Sequence, residues 1–186
     1  SVHDVLCTGE CRHKSDEECS RVTSLVFPYR GVFLRHVGSD DTVAEANQVL
    51  FFNRDEDYRI SHPVEGGDAC LSLAVHETAL EELVPKVHRA ERSPFAFNKQ
   101  RLRIDARAQA LVALLRHSLL RGTAETLEAE TLAMTLVRRA VGSDRRARLR
   151  SIGLTHFVEV LQACDTEEPH GAHSRAEEGD GPAGDS

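Results

Sequence analysis

Apolar and polar positions alternate in short runs up to about residue 75, and then the period changes. Leu25-Val26-Phe27 and Val32-Phe33-Leu34 are short, β-branched and aromatic, as half-buried strands are. Pro28 and Gly31 lie between them. Proline has no N–H to give a ladder, so Pro28 belongs at an edge or a bend. Gly38-Ser39-Asp40-Asp41 reads as a turn, Asn47–Asn53 as an apolar strand and Asn53–Asp57 as a polar turn. Tyr58-Arg59-Ile60-Ser61-His62 alternates, Glu65-Gly66-Gly67-Asp68 is a second strong turn, and Cys70–Val75 alternates again. Many short strands at this spacing favour a barrel or a sandwich.

After His76 the spacing becomes helical. Thr78–Val84 predicts one or two turns ending near Pro85, and 86–100 is irregular. From Ile104 the apolar residues Ala108, Leu111, Leu115 and Leu119 recur on one face, and Gly122 ends the helix. Thr126 can cap a second helix that carries Ala129, Leu132, Ala133, Leu136 and Val137. Ser143-Asp144 opens a third stretch, broken near Gly153 and resumed at Thr155–Ala163. The segment 165–186 is rich in Gly, Glu, Ser and Ala and is expected to be a disordered acidic tail.

A chain of 186 residues can bury a core without staples. The tail holds −6 of the formal charge of −7, so the remainder is almost neutral. The acidity is local and does not repel nucleic acid across the whole molecule. No run approaches the length of a membrane span, and no basic-then-apolar leader is seen. The expectation is a cytoplasmic protein with no membrane partner. Five cysteines in a reducing compartment point to metal or redox chemistry before structural disulfides.

The segments LVFPYRGVFLRH and NQVLFFNRDEDYRISHPVEGGDACLSLAV span Leu25–Val75, with Phe27–Phe33 leading into Arg35-His36. This region closely resembles the N-terminal sensor domain of AraC-type transcriptional regulators. The resemblance covers Thr23–Val75 well and the helices to about Ala140 loosely. It implies an α+β fold: a small cupin-like antiparallel β-barrel followed by a helical dimerisation or packing segment. It also implies a homodimer and a small-molecule or metal effector. The family's DNA-binding unit, two helix-turn-helix motifs, has no counterpart after Gly142. DNA would then be reached only through a missing C-terminal domain or a partner protein. Ser61–Asp68 looks like the corresponding strand and turn of the regulatory barrels. Metal-dependent cupin enzymes would instead carry an HxH pair, which the β region lacks. No catalytic residue is assigned. The divisions expected are a Cys-rich arm at 1–21, the barrel at 22–85, the helical segment at 86–164 and the tail at 165–186.

Three constellations carry chemistry. Cys7, Cys11, His13 and Cys19 offer three thiols and an imidazole within 13 residues. That set suits tetrahedral zinc, and binding would order an arm too poor in apolar residues for its own core. A redox role, with Arg12 and Lys14 lowering thiolate pKa, stays open, as does an arm whose thiols are incidental. In the barrel, alternation puts Tyr58, Ile60 and His62 on one face and Arg59 and Ser61 on the other. The effector-binding candidates are Tyr29, Arg35, His36, Tyr58 and His62, with aromatic rings lining a pocket and arginines such as Arg35 holding an anionic group. Core packing explains the aromatics equally well. The alternative function is a small metal-dependent cupin enzyme acting on a small molecule, with His36, His62 and Glu45 or Glu56 converging. Finally, arginines from Arg101 to Arg150 on the helices suit either a nucleic-acid surface or a solvated polar face, and the second is preferred.

The leading expectation is a ligand- or metal-sensing and dimerisation domain of an AraC-type regulator, without enzymatic activity.

Overall fold

Sheet-on-sheet packing, backed by helices on one side, organises this chain. The computed structural model describes residues 1–9, 12–91, 94–122 and 125–142, all within one compact unit, Ser1–Arg148. The strands run in chain order as β1 (Val2–Cys7), β2 (Glu18–Cys19), β3 (Ser24–Arg30), β4 (Phe33–Val37) and β5 (Asp40–Ala44). They continue as β6 (Gln48–Phe52), β7 (Asp57–Ser61), β8 (Asp68–Ala74) and β9 (Arg101–Arg103). Five of them form a large sheet in the order β1-β8-β3-β6-β9, and four form a smaller sheet in the order β2-β7-β4-β5. The strand pairs described are antiparallel. Among the described residues no ladder joins the two sheets, so the β region is a pair of sheets rather than a closed barrel. Helices α1 (Glu77–Leu83), α2 (Ala106–Arg121) and α3 (126–142) complete an α+β fold.

The large sheet is a middle layer, and its sequence reflects that. Leu25, Phe27, Val49, Phe51, Leu71 and Leu73 project to one side, where Leu80, Val112, Leu115, Leu136 and Val137 of the helices pack on them. Val26, Leu50, Phe52 and Cys70 project to the other side and meet Phe33 and Ala44 of the smaller sheet. Strand β6 is buried at all five positions, which explains its unbroken apolar run. The side chains of β7, in contrast, alternate between exposed and covered.

Pro28 lies within β3 rather than between two strands. The ladder from β3 to β6 ends at Val26, and the pairing with β8 shifts register between Pro28 and Arg30. The missing N–H therefore costs no bond to β6, and the irregularity absorbs the fixed φ.

Four strands, β1, β2, β5 and β9, were not foreshadowed by the pattern. β1 pairs along its whole length with β8, from Val2 opposite Leu73 to Cys7 opposite Asp68. The N-terminal arm thus borrows the sheet's core instead of building its own. β5 closes a hairpin with β4 across Gly38-Ser39, where Gly38 takes φ +56°.

Helix α2 begins at Asp105, whose carboxylate accepts from the Ala108 N–H at 2.9 Å, and ends at Gly122 in the left-handed region. Arg139 of α3 donates to both oxygens of Asp105, at 2.9 and 2.7 Å, so one carboxylate caps α2 and anchors α3. In α3 the Ala129 N–H bonds the Glu125 carbonyl, which puts Thr126 inside the first turn rather than at the cap. Leu115 and Leu136 are buried against the large sheet, with Leu111 and Leu132 packed beside them. The stretch from Ser143 to Ala163 and the acidic segment 165–186 lie outside the described residues.

Candidate functional site

The two sheets do not fill the space between them. A cavity of about 360 Å³ lies there, lined by Val5, Val26, Phe33, Phe52, Tyr58 and Ile60 as its apolar wall. Cys7, His62, Asp68 and Cys70 also line it, with Glu18 and the hydroxyls of Ser15, Ser20, Ser24 and Ser72. This composition, mostly apolar with a few polar groups, is that of small-molecule sites. No Lys or Arg stands among these lining residues.

Strand period places the groups. On β7, Tyr58 and Ile60 share an inward face with His62 just beyond the strand end. On β8, Asp68, Cys70 and Ser72 point the same way, two residues apart. On β1, Val5 and Cys7 stand opposite Cys70 and Asp68 in the ladder. Burial pushes the Tyr58 hydroxyl up to about 12, helped by its hydrogen bond to the Glu18 carboxylate at 2.9 Å. Burial also pushes the Cys70 thiol up to about 12, helped by the negative charge of Asp68.

His62 is the most unusual of these residues. Its side chain is 9 % exposed and its Nε2 lies 2.7 Å from Asp68 Oδ2. Its Nδ1 is buried without a hydrogen-bond partner among the described residues. Ligand atoms of Cys7, His62 and Asp68 all lie within 4.8 Å of one another. Among the described residues this is the one such cluster of three potential metal ligands.

The structure divides the other sequence-nominated residues. Tyr58 and His62 come together in the cavity. Tyr29 faces the helix side, where its hydroxyl donates to Asp4 and Arg116 stacks on its ring at 4.2 Å. Burial, followed by Asp4, raises the Tyr29 pKa above its ordinary value. Arg35 is fully buried but is taken up by protein partners: Glu56 at 2.6 Å, the Phe51 carbonyl at 2.8 Å and the Gln100 amide oxygen. Its guanidinium lies 4.1 Å over the Phe52 ring and 5.6 Å from that of Tyr58, behind the cavity wall. His36 bonds Ser61 Oγ at 2.8 Å through Nε2 and Asp41 through Nδ1. His62 lines the cavity, whereas His36 and its partner Ser61 are not among the lining residues, so His36 and His62 do not converge.

Of the N-terminal set, Cys7 reaches the cavity from β1, whereas Cys19 is exposed on β2 opposite Asp57. His13 is exposed, and Cys11 lies outside the described residues. Asp68, Cys70 and the serines were not singled out from sequence. Their signal was the alternation Asp68, Cys70, Ser72 along β8, which can be read as cavity-facing only once β1 is known to cover that edge. Arg116 and Arg139, part of the arginine series, serve internal pairs with Asp4 and Asp105.

No family model and no curated protein sequence matches the chain. Similarity appears with solved structures. The chain aligns with apo ToxT K231A from Vibrio cholerae strain SCE256 over 74 % of its own length and 52 % of ToxT, at 7 % identity and a TM-score of 0.50. It aligns with a cupin-2 domain protein from Shewanella frigidimarina NCIMB 400 over 40 % of its length and 67 % of that chain, at 5 % identity and a TM-score of 0.31. The chain thus spans about half the length of ToxT. At such identity the likeness to ToxT is one of fold alone. No helix among the described residues is long and apolar enough to cross a membrane.

Proposed function

We propose that this chain is the effector-sensing and dimerising domain of an AraC-type transcriptional regulator, acting in the cytoplasm and without catalysis of its own. Support comes from the residue pattern of Leu25–Val75 and from the fold shared with ToxT, an AraC-family regulator. The observation that carries the sensing part is the cavity between the sheets. Its wall offers apolar surface, hydroxyls and two carboxylates, with no cationic side chain among the described lining residues. Arg35, the cation nearest in chemistry to an anion clamp, is already matched by Glu56. The effector class is therefore a small neutral or cationic amphiphile rather than an anion. Dimerisation would use the helices, where Leu114, Leu120 and Leu127 are 49, 62 and 74 % exposed.

The test uses the neutral fluorophore N-phenyl-1-naphthylamine. Saturable fluorescence enhancement in the wild type, lost in Ser72→Phe at unchanged thermal stability, is the expected result. No enhancement in the wild type, or enhancement untouched by Ser72→Phe, rejects the cavity as the binding site. Light scattering on the eluting protein tests the second part, and a strict monomer at high concentration rejects dimerisation.

A further inference from the structure

We infer that Cys7, His62 and Asp68 form a binding site for a zinc-class divalent transition metal within the cavity between the sheets. The three ligand atoms lie within 4.8 Å of one another, close enough for one ion to reach all three. Thiolate, imidazole and carboxylate together suit borderline cations such as Zn²⁺ and Co²⁺, and exclude Mg²⁺ and Ca²⁺, which require oxygen ligands. Asp68 and Cys7 are directly opposed in the β1–β8 ladder, and His62 arrives from the end of β7.

A second, independent observation points to a ligand. His62 Nδ1 is a buried polar atom with no hydrogen-bond partner among the described residues, on a side chain more than nine-tenths buried. Buried polar groups are almost always satisfied, so an orphan of this kind needs an explanation. A histidine between a carboxylate and a vacant nitrogen, beside a thiol, is explained by metal ligation. The unpartnered Nδ1 is the ligating position, with Asp68 holding Nε2 and so fixing the ring; an ion that takes Asp68 directly must instead replace the Nε2–Asp68 hydrogen bond and would leave Nδ1 unpartnered. In either arrangement the Cys7 thiol gives its proton to solvent as the ion binds.

The backbone around the cluster is built for close approach. Gly67, at φ +67°, lies so near the arm that a Cβ there would stand 2.1 Å from the Cys7 carbonyl oxygen. Gly9, at φ +68°, would place a Cβ 2.5 Å from the Gly67 Cα. Two glycines thus let the arm after β1 press onto the turn before β8, which sets Cys7 beside Asp68. The arm and this turn are also joined by the Arg12–Glu65 ion pair. A bound ion would fasten β1, an edge strand of the large sheet, to the end of β7 in the smaller one. It would also leave its remaining coordination position facing the cavity. This inference does not depend on the regulator reading, since the ligand set is the same whatever the chain controls.

The experiment is titration of the full, reduced, metal-stripped chain with Co²⁺, followed by its absorption spectrum. One equivalent with thiolate-to-cobalt charge-transfer absorption is expected. That absorption should vanish in Cys7→Ser and His62→Gln and persist in Cys19→Ser and Cys11→Ser. Circular dichroism on each variant establishes that the fold is intact; if His62→Gln unfolds, Cys7→Ser, at a less buried position, decides alone. Absence of charge transfer in the folded wild type overturns the inference. So does its survival in Cys7→Ser, or its loss in Cys19→Ser or Cys11→Ser, which would move the ion to the N-terminal cysteines.

Discussion

Arg35 and Glu56 form an ion pair in which the guanidinium is wholly withdrawn from solvent while the carboxylate keeps a 19 % exposed face. Burial lowers the Arg35 pKa, and the Glu56 hydrogen bond and charge counter that effect. The pair therefore neutralises a charge inside the sheet sandwich rather than serving a bound anion. Removing Glu56 leaves the charge with only the Phe51 carbonyl, Gln100 and the Phe52 and Tyr58 rings. Glu56→Ala is expected to destabilise the protein by about 3 kcal/mol, the low end for breaking a buried pair, because Glu56 itself is partly solvated. Arg35→Met should cost less, since it leaves the carboxylate able to reach water. Urea unfolding of both variants checks the order, and a smaller loss for Glu56→Ala than for Arg35→Met contradicts the assignment.

The contact between Gly67 and the β1 arm is expected to be intolerant of any side chain. In Gly67→Ala the new Cβ meets the Cys7 carbonyl oxygen and the backbone of Thr8, none of which can swing away as a side-chain tip can. Gly38→Ala is the matched control: it also has positive φ, +56°, but nothing lies within 4 Å of its Cβ. Gly38→Ala should cost about 1–2 kcal/mol, the strain of the left-handed conformation alone. Gly67→Ala should cost clearly more and should strip hydrogen-exchange protection from Val2–Cys7. Equal effects of the two substitutions would show that the close approach carries no weight.

That contact also shows where sequence reading stopped. The strands β3, β4, β6, β7 and β8 and the two long helices announce themselves by period, because each buries a face against a layer its own pattern can foretell. The alternation Tyr58, Ile60, His62 even indicated which side chains share the cavity. β1 was hidden because Val-His-Asp-Val-Leu-Cys is a half-exposed edge strand whose apolar residues, Val2, Val5, Leu6 and Cys7, do not alternate with period two. Its strand character comes from pairing with β8, a partner about 65 residues away, which no local window contains. Cys7 was therefore grouped with its neighbours in sequence, Cys11, His13 and Cys19, instead of with His62 and Asp68 across the fold. Arg35 illustrates the opposite case. A strand arginine is ordinarily solvated, and only the fold reveals that Glu56 meets it inside.

Asn53 stitches the loop after α1 onto the large sheet by acting as a piece of backbone. Its Oδ1 accepts from the Phe97 N–H at 2.8 Å and its Nδ2 donates to the Phe97 carbonyl at 3.2 Å. This holds Phe97 stacked on Phe51, with ring centroids 3.8 Å apart. Asn53→Ala leaves both backbone groups buried without a side-chain partner, and a loss of about 2 kcal/mol is expected. Asn53→Asp keeps the acceptor but loses the donor and adds a charge near Glu56, so it should be no better tolerated. Thermal unfolding of the two variants is the check, and a near-wild-type Asn53→Ala would mean that the loop is held by its aromatic residues alone.

Alkaline titration tests the environment of the cavity wall directly. The chain has two tyrosines, and both are held above their ordinary value when folded, Tyr58 up to about 12. An unfolded tyrosine ionises near pH 10. Since the folded pKa is the higher one, folding favours the neutral phenol. That contribution to stability is complete below about pH 10 and is lost as pH rises through about 12. The native protein should therefore develop little tyrosinate absorbance at pH 10, and the urea-unfolded chain should develop it for both residues. Glu18→Gln removes the acceptor charge that adds to the Tyr58 shift but leaves the burial that comes first among its causes. Its Tyr58 should ionise earlier than in the wild type and still later than in the unfolded chain. Tyr58 titrating at about pH 10 while circular dichroism is unchanged, read in Tyr29→Phe so that it is the single phenol observed, would mean that the wall is open to water. An unfilled polar cleft would then replace the apolar pocket on which the effector reading stands.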